Sequence, residues 1–187
     1  EDLRRCARRS TLGEARMATW YPDVSGIEHE YGTLICQREN LSWDARLRSR
    51  WASVLSCGVA AWTVVGICVG LGADLSVREL LVRWFVPSMS ALLLAEQHAR
   101  ANRELSRERA LLGTRVRGLL DAADSAPLSD EDRQRLRTES RSIQDGIFRT
   151  RKRSERVPRW LYERFRTNDE ADMRETAAET VGRLSLG

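Results

Sequence analysis

The chain is constrained most by Trp51 to Ala73, WASVLSCGVAAWTVVGICVGLGA, a stretch with no charged residue. Crossing the hydrocarbon core of a bilayer takes about 20 apolar residues in a helix rising about 1.5 Å per residue. This stretch has that length, and Leu, Ile and Val fill eight of its positions. Each such side chain favours insertion by about 0.3–0.6 kcal/mol near the helix centre, against small costs for Ser, Thr and Gly. A buried helix of a water-soluble domain would carry a polar stripe, and none is present. The stretch therefore reads as a membrane span.

A second apolar segment, Leu80 to Ala95, follows the short link Asp74 to Glu79. Its uncharged part, Trp84 to Ala95, is short, and Arg83 must snorkel to the interface for the segment to cross. Pro87 lies inside it and should kink the helix. Two readings are open, a returning span or a re-entrant interfacial helix. The flanks favour the span: Arg46, Arg48 and Arg50 precede the first segment, and Arg100, Arg103, Arg107 and Arg109 follow the second. By the positive-inside rule both outer ends then lie in the cytoplasm.

Charged residues make up 31% of the chain, so the sequence outside the spans reads as water-facing helix. Of the 31 basic residues only Lys152 is lysine. The four cysteines (Cys6, Cys36, Cys57, Cys68) have no CxxC spacing and no paired histidines, which argues against zinc. His29 and His98 are isolated. No phosphate-binding glycine loop, HExxH helix or nucleophile elbow is present. Neither catalysis nor a cofactor is expected.

The chain divides into a basic connector with a WYPD turn (1–33), a juxtamembrane helix with two spans (34–95, spans near 51–73 and 80–95) and a cytosolic helical region (96–187). The fold expected is an all-α membrane protein, a transmembrane helical hairpin with a long cytosolic helical extension. In the connector, Trp20 and Tyr21 suit a membrane interface or an ordinary aromatic turn, and Pro22 blocks a continuing helix. Cys36, Asn40, Trp43 and Leu47 share one helical face. Beyond the second span, Leu94, Ala101, Leu105, Leu112, Val116 and Leu119 make a coiled-coil-like stripe ending near Ser125-Ala126-Pro127. Ser129 caps the next helix, with apolar line Leu136, Ile143 and Ile147, and the two should pack as an antiparallel hairpin. Pro158 opens a short helix to Arg166, followed by a fraying helical tail.

Three stretches together resemble the SMODS-associated four-transmembrane effector family. They are WYP (Trp20, Tyr21, Pro22), CQRxN with WD (Cys36, Gln37, Arg38, Asn40, Trp43, Asp44), and IQDGIF with VPRWLY around Ile143 to Tyr162. The family is encoded beside bacterial cyclic-oligonucleotide synthases in CBASS-type anti-phage systems. The resemblance implies a pore-forming effector of the bacterial inner membrane, with a cyclic oligonucleotide as signal. It also implies four spans; with two found here and a start at Glu1, the other two are expected upstream, which would make this the C-terminal part.

Small residues Ala52, Ser56, Ala60, Gly66 and Gly70 allow close helix approach, either in a homo-oligomer or against the chain's own second span. Arg149 to Arg166 carries a charge surplus of +6 in a chain of net +4, interleaved with aromatic residues. Arg149, Arg151, Lys152, Arg153, Arg156, Arg159, Arg164 and Arg166 with Trp160 suit anionic lipids, nucleic acid or a signal nucleotide, lipid being favoured and DNA not expected. The bland alternative is a solvated face whose aromatics pack on a neighbouring helix. The expected partners are thus the lipid bilayer, further copies of the chain and a cyclic oligonucleotide. The runner-up function is a membrane-anchored adaptor or sensor whose cytosolic helices bind a protein.

Overall fold

Prolines set the element boundaries. None occurs between Pro22 and Pro87, and within that interval His29–Gly72 forms one uninterrupted helix, α1, of 44 residues and about 66 Å. The structure, a computed structural model, describes residues 27–123, 128–154 and 156–185. After α1 come α2 (Val77–Leu80), a π-helical turn (Leu81–Phe85), α3 (Val86–Asp121), α4 (Asp130–Arg153) and α5 (Arg159–Ser185). No strand occurs among the described residues, and the chain is an all-α membrane protein. The WYP residues Trp20, Tyr21 and Pro22, Cys6 and the break at Ser125-Ala126-Pro127 lie outside the described residues.

α1 ends in a tight cap. Leu75 N–H reaches back to the Gly70 carbonyl (2.9 Å), and Asp74 takes a left-handed backbone (φ 48°), a position where Asp is among the tolerated residues. Ser76 then caps α2: its hydroxyl accepts from Glu79 N–H (3.3 Å), and the Glu79 carboxylate accepts from Ser76 N–H (3.1 Å). Helix thus starts before the expected Leu80. Pro87 has no N–H and its ring crowds the carbonyl four residues back. A π turn relieves this, with Val86 N–H bonding to Leu81 five residues earlier. The kink expected at Pro87 takes this form, and helix continues to Asp121.

α1 and α3 pack antiparallel along their whole length. In the apolar half, Trp62 stacks on Trp84 (centroids 4.7 Å, 24°), and Trp62 Nε1 donates to Ser88 Oγ (3.1 Å). In the polar half, α4 and α5 complete a bundle of up-down-up-down helices. Its core joins Tyr31, Leu34, Ile35 and Leu41 of α1, Val116 and Leu120 of α3, Leu136, Ile143 and Ile147 of α4, and Ala177 of α5. Each large apolar side chain buried there stabilises the bundle by about 1.5–3 kcal/mol.

Four details depart from the sequence reading. His29 to Gly32 belong to α1 rather than to the connector, and the expected short helix and helical tail are one continuous helix, Arg159–Ser185. Leu94 and Ala101 are exposed; the buried line of α3 runs Ala99, Asn102, Leu105, Arg109, Val116 and Leu120. On α1, the line Leu34, Arg38, Leu41, Ala45, Arg48 and Ala52 is buried more completely than Cys36, Asn40 and Trp43, which are half-buried. Polar residues in the seams explain both shifts, and they lead to the site.

Candidate functional site

The CQRxN–WD residues occupy two and a half turns of α1, so their side chains point around the helix toward every neighbour. Gln37 Nε2 donates to the Ser140 carbonyl (3.0 Å) and Oγ (3.1 Å) and to Gln144 Oε1 (3.5 Å) on α4. Arg38 pairs with Glu39 (2.7 Å) and donates to Thr180 Oγ1 (3.0 Å) and the Thr176 carbonyl (3.3 Å) on α5. Asn40 Oδ1 accepts from Arg151 of α4 (3.2 Å), and Trp43 meets Tyr162 of α5 edge-on (5.0 Å). Asp44 faces α3. Of the stretches that carry the family resemblance, CQRxN–WD is therefore in contact with the third: Gln37 with Gln144 of IQDGIF, Trp43 with Tyr162 of VPRWLY.

The centre of this joint is charged and buried. Asp44 Oδ2 accepts from Arg48 Nε (2.7 Å) and from Arg109 Nη1. Arg48 Nη1 also donates to Asn102 Oδ1 (3.1 Å), whose Nδ2 donates to the His98 carbonyl (2.9 Å). Arg109 is only 1% exposed, and its Nε and Nη2 meet no hydrogen-bond partner among the described residues. Burial pushes its pKa down, Asp44 opposes this, and the nearby charges of Arg48 and Arg151 add to the downward push. Guanidinium nonetheless stays protonated in proteins, so the joint holds two cations on one carboxylate. Such a set has no nucleophile or proton shuttle. It fixes register between α1 and α3 just before the apolar half, where Ser106 Oγ also donates to the Ala45 carbonyl (2.8 Å).

Sequence reasoning read Arg48 and Arg109 only as flanking charges, not as members of this joint, and missed Asn102. The signal was present: Leu105, Arg109, Leu112, Val116 and Leu119 are spaced 4, 3, 4 and 3, so Arg109 falls inside an apolar seam. Arg38 and Arg48 interrupt the α1 seam in the same way.

The remaining candidates fall in two places. Gly66 and Gly70 are buried against the chain's own returning helix, Trp84 lying over Gly66 and Leu80 over Gly70, so close approach there is used within one chain. Ala52 is buried, Ser56 Oγ accepts from Arg103, and Ala60 is exposed. The basic residues gather around the α4–α5 turn. Arg153 pairs with Glu108, Arg159 with Glu163 (2.7 Å), and Lys152 lies over Phe148 (4.9 Å). Arg149, Arg156 and Arg164 are exposed; the side chain of Arg166 lies outside the described residues. No group of His, Cys, Asp and Glu among the described residues could hold a metal ion. Burial raises the Cys36 thiol pKa, with Glu39 adding to the effect.

A family model described as the SMODS-associating 4TM effector domain matches residues 1–180. The chain is also 24% identical over 163 residues to a Bacillus cereus (strain VD146) protein named "Probable CBASS effector molecule". That match covers 87% of this chain and 53% of the relative, so the chain spans about half the length of the curated relative it matches. No solved structure matches the chain. The family is not a known enzyme class. With the family model covering nearly all of it, the chain belongs to the SMODS-associating 4TM effector domain family.

Proposed function

We propose that this chain carries a membrane hairpin and signalling bundle of a CBASS effector that permeabilises the bacterial inner membrane in response to a cyclic oligonucleotide. One observation carries the reading. The hairpin's inner seam is filled by its own side chains, while its outer faces stay apolar and uncovered. Val64 (58%), Leu71 (75%), Val86 (61%) and Leu93 (63%) are all exposed. A surface of that size belongs against lipid tails or further apolar helices.

One hairpin encloses no aqueous path, so permeation needs several copies of the chain, or copies joined by further spans of a four-span domain. Gly66 and Gly70 being occupied, the contact between copies falls on an outer face. Cys57 and Cys68 are exposed and lie eleven residues apart, three turns, on one such face. Arginines at both outer ends of the hairpin support cytoplasmic placement of the bundle and of both termini. The signal is a polyanion, and the arginine-rich bundle offers it complementary charge. The effector acts by disrupting the barrier, without catalysis.

The test uses the full-length protein in dye-filled liposomes. Adding cyclic oligonucleotide should release dye, and oxidation should crosslink copies through Cys57 or Cys68. Nucleotide binding that leaves the liposomes sealed would overturn permeabilisation and favour the membrane-anchored adaptor.

A further inference from the structure

Depth in the membrane can be read along α1. Arg50 is the last charge before the apolar stretch, yet Arg103 of α3 reaches Ser56, six residues further on. The interval from Trp51 to Ser56 is about 7.5 Å, close to the thickness of one headgroup layer. α5 begins beside this interval. Trp160 packs edge-on against Trp51 (6.2 Å, 77°), and Arg50 lies over Phe165 (4.2 Å) while pairing with Asp169 through two hydrogen bonds (2.6 and 3.0 Å).

Only part of the α5 start is needed by the bundle. Leu161 is buried, whereas Trp160 remains 53% exposed beside exposed Arg156, Arg159 and Arg164. An indole half in contact with the first residue of the apolar stretch and half open, in a segment that also exposes Arg156, Arg164 and the Glu163-paired Arg159, matches the amphipathic chemistry of a membrane interface. Arg100 and Arg103 extend the positive charge around the hairpin on the α3 side.

We infer that the α4–α5 turn and the first turns of α5 dock on the anionic headgroups of the leaflet the hairpin enters, with Trp160 as the aromatic anchor. The occupant is phospholipid because the hairpin holds this surface at headgroup depth, where a nucleic acid would have to compete with the bilayer itself. The inference rests on the membrane placement of the hairpin and is independent of permeabilisation. It would orient the bundle against the membrane, so that changes in the bundle reach the hairpin through α1 and α3.

The experiment is hydrogen exchange on the full-length protein in nanodiscs of phosphatidylcholine alone and of phosphatidylcholine with phosphatidylglycerol. Amides from Ser154 to Leu161 should exchange more slowly in the anionic discs, and added salt should remove the difference. Replacing Arg156, Arg159 and Arg164 by Gln should cut that difference about tenfold, since each cation near an anionic surface strengthens attachment about fivefold before discounting. These side chains are exposed, and unchanged exchange of amides around Leu136 and Ile143 will show that the bundle remains folded. Trp160→Ala should reduce protection in both discs. Equal exchange in neutral and anionic discs would overturn the inference. Protection in neutral discs on adding a single-stranded DNA oligonucleotide, with no effect of anionic lipid, would overturn it in favour of nucleic acid.

Discussion

Replacing Asp44 by Asn removes the carboxylate shared by the guanidinium groups of Arg48 and Arg109 while keeping shape. Arg109 then keeps its charge at 1% exposure with no counter-charge at Nη1. Removing one partner of a buried ion pair costs about 3–5 kcal/mol. The Asp44 side chain is 18% exposed, which puts the cost near the lower end, about 3 kcal/mol. In a chain of this size each kcal/mol shifts Tm by about 2–4 °C, so Asp44→Asn should lower it by about 6–12 °C. Adding Arg109→Met removes the stranded charge, and the double variant should lose at least about 1 kcal/mol less than the two single losses together. Glu108→Gln, which breaks a pair whose arginine side chain is 60% exposed, should cost less than about 1 kcal/mol. The assay is unfolding of the nanodisc-held protein followed by circular dichroism. An Asp44→Asn shift within about 2 °C, or strict additivity with Arg109→Met, would refute the buried joint.

Gly66→Leu should force Trp84 away and open the hairpin seam at a cost of about 1–3 kcal/mol, widening the distance between spin labels at Val65 and Leu81; Gly58→Leu, with open space around it, should not. Glu30 lies in the first turn of α1, where its own backbone N–H first and then Arg137, against the opposing effect of burial, hold its carboxyl below the ordinary value of 4.5. Its contribution is full above that value and disappears as pH falls through the lower folded pKa, so Glu30→Gln should flatten part of the acid limb of the stability curve. Topology can be read with Val77→Cys, which spares the Ser76 cap: an impermeant maleimide should label it in intact cells and leave Cys36 unlabelled. Labelling of both or neither contradicts a hairpin with its bundle in the cytoplasm.

Much of the architecture was legible because lipid and prolines leave strong marks. Twenty-three residues without charge from Trp51 to Ala73 demand a span, and Pro87 and Pro158 punctuate helices where expected. Ser129 caps α4 as read, accepting from Asp132 N–H (3.1 Å). The bundle seams were less legible because apolar spacing ignores charged residues that are buried only through partners distant in sequence. Arg109 interrupts a regular seam and reads as solvent-facing until Asp44, 65 positions earlier, is brought against it. The glycine pair was legible as a close-packing site, but its occupant was not, since only the hairpin register decides that Trp84 and Leu80 fill it. The motif residues likewise carried the family resemblance before their shared role in joining four helices could be seen.

The proposed function turns most directly on membrane potential in living cells. A potential-sensitive dye should be followed after the full-length effector and its nucleotide signal are produced together, with Gly66→Leu as the variant that opens the hairpin. Depolarisation is expected within the period before growth stops, and it should be absent or strongly delayed in Gly66→Leu at equal membrane abundance. Growth arrest with the potential intact would contradict permeabilisation and leave the bundle, rather than the hairpin, as the acting part.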